Sequence, residues 1–186
     1  MNFGKHIASI TVLEDNYLYA VVYDSDKGNN IVSKMFQDWA DNEFLVDFFV
    51  ANKEGLESGY YSEEEISRAV ADTVREAMLL KAKLLRAQKS RNLGDMFLPL
   101  SKGKTENFPI LIKAYGVSQR AKLRLYAVRL DDGTYIISGG AIKIAKTMDG
   151  SDDLKLQKVR LKRLRDFLRQ EGIDDVDQLE ELILEL

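Results

Sequence analysis

The chain has 186 residues, 45% of them apolar, a net charge of −3, one histidine and no cysteine. That is enough for one domain with a sizeable core, and it excludes general disorder, disulfides, thiolate metal sites and the common zinc sites. The start, MNFGKHIASI, lacks the apolar core of a signal peptide, and no run approaches the ~20 apolar residues of a membrane span, so a soluble, cytoplasmic protein is expected.

Residues 7–12 (IASITV) read as a strand. Glu14, Asp15 and Asn16 form a polar turn, and residues 17–23 (YLYAVVY) a second strand buried on both faces. Residues 24–30 are a loop by composition. From Ile31 the spacing becomes helical, with Ser33 as N-cap and Met35, Phe36, Trp39 and Ala40 on one side. Asp41 or Asn42 starts a second helix with Phe44, Leu45, Phe48 and Phe49 as its stripe. This aromatic patch reads as helix core on a sheet rather than as a base-stacking surface. Ser62 followed by Glu65 is a capping box for a helix to about Gln88, with Ile66, Ala69, Val70, Thr73, Ala77, Leu80 and Leu84 inward. The cations at its far end suit the negative end of the helix dipole.

Residues 96–100 (MFLPL) are an apolar anchor, residues 101–107 a polar loop, and residues 108–115 (FPILIKAY) a strand. In residues 122–148, KLRLYAVRLDDGTYIISGGAIKIAKTM, Leu123, Leu125 and Ala127 share one strand face and Lys122, Arg124 and Tyr126 the other. Gly133 closes a turn, residues 134–138 return as a second strand, and Gly139-Gly140 permits a bulge or a close backbone approach. Lys143 falls near the end of its extension. A helix follows over residues 154–170, capped by Ser151 or Asp152 and stopped by Gly172. Residues 173–186 form an acidic amphipathic helix that can dock on its own domain, on a second copy or on a basic partner.

Residues 101–170 hold sixteen Lys or Arg against seven Asp or Glu, an excess cancelled elsewhere in the chain. The asymmetry favours a polyanionic partner. The expected fold is α+β: a small antiparallel sheet packed against two long helices, with an extra N-terminal hairpin and C-terminal helices. Residues 1–172 form one domain, and residues 173–186 an acidic helical tail.

This element order, with KLRLYAVRLDDGTYIISGGAIKIAKT before a Lys/Arg-rich helix, resembles the RelE/HigB-like toxins of bacterial type II toxin–antitoxin systems. It is most similar to the HigB and phage-derived branch of the RelE/ParE superfamily. The matching pieces are an x-L-R-h-Y-x-h strand (h apolar) at 122–128, a strand at 135–138, and Lys143 with Lys146-Thr147. They cover the last third of the chain, and the helices at 33–89 agree in type and order. The resemblance implies a metal-independent endoribonuclease that cuts mRNA, often on the ribosome, and is neutralised by a small antitoxin protein.

By position, Arg124 matches the family's basic residue on the second strand of the sheet. Lys143 and Lys146 match those after its last strand, and Lys113 the catalytic lysine of some members. The terminal Tyr or His that many members use has no counterpart here. On this reading Arg124 and Lys143 steady the phosphate, and Lys113 or Tyr126 moves protons. Lys122, Arg120, Arg129 and Lys146 hold RNA. No metal or other cofactor is expected, and the helices or the tail can pair two copies. The plain alternative for each of these residues is a solvated position on an open sheet face. The alternative for the chain is a non-enzymatic module on the same scaffold that uses the basic sheet face or the acidic tail to hold RNA or protein. A third reading is a phage or mobile-element accessory protein.

Overall fold

The run LYAVVY has no polar face, so a strand made from it must be covered on both sides. In the computed structural model, which describes residues 7–59, 65–101, 108–117, 121–144 and 150–185, it forms β2 (Leu18–Tyr23), and all six residues are buried. β2 pairs antiparallel with β1 (Ile7–Glu14) across a turn where Asn16 has φ +54°. On its other side it runs parallel to β6 (Tyr135–Ile142), matching Leu18 with Tyr135 and Ala20 with Ile137. Beyond β6 lie β5 (Leu123–Arg129), β4 (Ile110–Tyr115) and β3 (Phe97–Pro99), each antiparallel to its neighbour. The sheet is six-stranded and mixed, in the order β1-β2-β6-β5-β4-β3. The N-terminal hairpin is thus part of the one sheet, and the expected purely antiparallel arrangement is broken at β2 and β6. The apolar anchor at 96–100 supplies β3, an edge strand where Pro99 is tolerated.

Six α-helices accompany the sheet among the described residues: α1 (Ile31–Asp38), α2 (Asn42–Ala51), α3 (Lys53–Gly59), α4 (Ile66–Lys89), α5 (Asp152–Gln170) and α6 (Val176–Glu185). Asn30, not Ser33, caps α1: its side chain accepts the Ser33 N–H, so the loop's last asparagine starts the helix. Asp41 caps α2 and Ser151 caps α5. The expected cap at Ser62 lies outside the described residues. No helix among the described residues is long and apolar enough to cross a membrane.

Adjacent strand residues point to opposite faces, and two glycines of β6 reveal what covers each. A Cβ on Gly139 would meet Gln157 of α5, whereas one on Gly140 would meet Met35 and Trp39, in and just after α1. α5 therefore covers one face and α1 the other. α2 packs against α4, and α6 packs against β1.

The acidic tail docks on its own sheet. Ile173 and Leu179 are buried, the Tyr19 hydroxyl donates to Glu180, and Asp132 accepts the Val176 N–H. Leu179 is fully buried, so Leu179→Ala is expected to cost roughly 2–4 kcal/mol in urea denaturation. A loss well under ~1 kcal/mol would mean that α6 does not hold its docked position in solution.

Candidate nucleic-acid interface

Strand alternation and register decide which polar side chains meet. β4 and β5 pair Lys113 with Tyr126 and Tyr115 with Arg124, and β5 and β6 pair Arg124 with Ala141. Lys143, two residues past Ala141, falls on the same face, and its N–H donates to the Lys122 carbonyl at 2.7 Å. Lys113, Tyr115, Arg124 and Lys143 are thus gathered at one end of the β4-β5-β6 surface. This face is the one α5 covers further in, above Gly139 and Tyr126.

The Arg124 guanidinium lies over the Tyr115 ring, 4.2 Å from its centroid, and the Lys113 ammonium is 5.4 Å from the same point. Tyr115 is 38% exposed, and the three cations are half-buried. Arg124 Nη1 donates to the carbonyls of Ala121 and Leu123 at 2.7 and 2.8 Å, which fixes the guanidinium's orientation. Among the described residues, none of the three cations joins a salt bridge. The carboxylate whose charge Arg124 feels is Glu76 of α4. Glu76 is buried and already accepts the N–H groups of Lys122 and Leu123 at 3.0 and 2.8 Å, pinning the start of β5.

This crowding shows in the proton affinities. The Lys113 ammonium beside it pulls the Tyr115 hydroxyl below its ordinary pKa, with Arg124 and Lys143 adding to the effect and burial opposing it. Burial lowers the Lys143 pKa, and Arg124 and Lys113 lower it further. Burial also lowers that of Arg124, which nevertheless stays charged at neutral pH. Three partly desolvated like charges repel one another. A phosphate among them would turn that repulsion into attraction and accept charge-assisted hydrogen bonds.

The remaining sequence candidates fall elsewhere. Tyr126 shares the face but is 1% exposed; burial raises its pKa to about 12, so it is no surface proton carrier. Lys122 is 6% exposed and contributes its charge to the Glu76 environment rather than to an outer surface. Arg129 is at the far end of β5, an odd number of residues from Arg124 and so on the opposite face, with its guanidinium over the Phe108 ring. Arg120 and Lys146 lie outside the described residues. Tyr115 is the functional candidate that the sequence reading missed. Its signal is the Lys-x-Tyr spacing in ILIKAY, set antiparallel to Arg-x-Tyr in LRLYAVR. Among the described residues no three His, Asp or Glu side chains group as a metal site would require.

No family model matches the chain, and neither a curated protein nor a solved structure matches it.

Proposed function

We propose that the face formed by Lys113, Tyr115, Arg124 and Lys143 binds the phosphate backbone of RNA. On this proposal the protein is a toxin-like, metal-independent endoribonuclease that inhibits translation. The observation that carries the reading is the convergence of three cations on one exposed tyrosine, none of the three joined by a salt bridge to a carboxylate among the described residues. The resemblance to RelE/HigB-like toxins points the same way. So does the antiparallel β6-β5-β4-β3 half of the sheet, which with α1 and α4 supports a RelE-like scaffold to which β1, β2, α5 and α6 are additions.

In the reaction the RNA 2′-hydroxyl attacks the adjacent phosphorus, a 2′,3′-cyclic phosphate forms, and the bond to the 5′-oxygen breaks. One proton leaves the 2′-hydroxyl and one reaches the 5′-oxygen. The Lys113–Tyr115 pair exchanges these protons, and Arg124 and Lys143 hold the charge that grows on the phosphoryl oxygens. A small antitoxin would neutralise the protein by covering the same cations. The test is cleavage of mRNA by purified protein with ribosomes present. Cut transcripts support the enzymatic reading, and intact transcripts remove it.

The second reading, a non-enzymatic RNA-binding module, is favoured by one observation. Arg124 already spends Nη1 on two backbone carbonyls, leaving less of its fork for a phosphate that must change shape. Salt-sensitive RNA binding without cleavage supports this reading.

The depressed Lys143 pKa has a consequence for binding under either reading. The cationic lysine is the binding form, and a bound phosphate raises its proton affinity. RNA affinity is therefore expected to be full below the depressed pKa and to fall as pH climbs through it, earlier than for an ordinary lysine at 10.5. Titration of Lys143→Arg, which stays charged, should flatten that fall. An identical profile for both proteins would remove Lys143 from the RNA contact.

A further inference from the structure

β2 and β6 run side by side in parallel, but the chain leaves them toward opposite faces, β2 into α1 and β6 into α5. With α1 and α5 on opposite faces, the carboxyl ends of the two strands are where such sheets place a crevice. Their pairing stops at Ala20 and Ile137, and Val22 bridges to Asn30 instead. A cavity of about 310 Å³ lies there, within the range of small-molecule sites. Trp39, Phe44 and Phe48 are among the residues that line it, with Asp26 and Gln157.

Asp26 and Gln157 are 8% and 4% exposed, and each has an oxygen, Oδ2 and Oε1, with no hydrogen-bond partner among the described residues. Asp26 Oδ1 is occupied by the Ser25 hydroxyl, and Gln157 Nε2 donates to Asp153. What both residues have left is acceptor capacity, and a buried acceptor without a donor is costly. The cations on the lining are already engaged: Lys34 donates to Asp38, and Arg160 sits 4.1 Å from the centroid of the Tyr23 ring. An anion entering here would face Asp26 and Asp153. A cation would find free acceptors on a lining that also carries aromatic side chains, and both kinds of group attract it. The aromatic lining suits an organic body rather than a bare metal ion.

We propose that this crevice binds a small organic cation, an amine carried on an aromatic or similarly apolar body, with Asp26 as its counter-charge. The site stands apart from the RNA reading and does not depend on it. Trp39 is the only tryptophan in the chain, so its fluorescence reports on the cavity wall. The experiment titrates 2-phenylethylamine against 3-phenylpropanoate, a similar skeleton of opposite charge, and follows Trp39 emission and melting temperature. The amine should change the emission saturably and raise the melting temperature, and the acid should do neither. Asp26→Asn should weaken the amine at least ~10-fold. Should that variant fail to fold, Gln157→Leu, which removes the second acceptor, carries the same comparison. Equal binding of amine and acid, no binding of either, or unchanged amine affinity in the folded variant would overturn the proposal.

Discussion

Replacing Gly140 with alanine is expected to cost about 3 kcal/mol, a large part of the stability of a domain this size. An added Cβ would lie 2.6 Å from the Arg124 carbonyl oxygen, 2.6 Å from Met35 Sδ and 2.8 Å from Trp39 Cη2. The methionine can turn away, but the carbonyl belongs to β5, paired to β6 along its length. Relief therefore requires the strands to move apart or α1 to lift from the sheet. Gly139, its neighbour, is the internal control, because the nearest atoms a Cβ there meets are the amide end of a side chain, Gln157, rather than backbone. Urea denaturation should place Gly140→Ala well below Gly139→Ala. Equal losses, or a Gly140→Ala cost under ~1 kcal/mol, would mean that α1 does not press on β6 as described.

The second large effect is the one the proposed ribonuclease reading predicts for RNA cleavage. Tyr115→Phe is expected to reduce RNA cleavage by a factor on the order of 10²–10⁴, the usual contribution of a positioned proton donor or acceptor. RNA affinity should change little. The phenylalanine ring keeps the surface over which Arg124 stacks and loses only the hydroxyl held beside Lys113. Single-turnover cleavage measured alongside equilibrium binding separates the two effects. A variant that cleaves as fast as the parent would take proton transfer away from Tyr115 while leaving the binding face intact.

Particular residues explain how much of this could be read from the sequence. LYAVVY announced a strand covered on both faces, because it offers no polar side to water. Period-two spacing put Arg124 opposite the apolar Leu123 and Leu125, and the register then gathered it with Lys113 and Lys143. The same alternation could have removed Arg129, whose odd spacing from Arg124 sends it to the other face. What spacing does not encode is cover. Tyr126 and Arg124 share a face two residues apart, but α5 closes over Tyr126 and leaves the end of the strand open. Lys122 is buried where its backbone N–H donates to Glu76 of a distant helix, and no local pattern names that carboxylate. The parallel pairing of β2 with β6 joins segments more than a hundred residues apart. Neither turn chemistry nor periodicity reaches that far, and the crevice lined by Asp26 and Gln157 stayed hidden with it.

The proposed binding of an RNA phosphate backbone by these cations is tested most directly by the salt dependence of RNA affinity, in the parent and in a Lys113→Ala, Arg124→Ala, Lys143→Ala triple variant whose fold is verified by its melting transition. Each cation that neutralises a phosphate of single-stranded RNA contributes about 0.7 to the slope of log affinity against log salt. The triple variant should therefore show a slope shallower by about 2 and an affinity at low salt weaker by on the order of 100-fold. A folded triple variant with the parent's slope and affinity would contradict the assignment of this face to RNA.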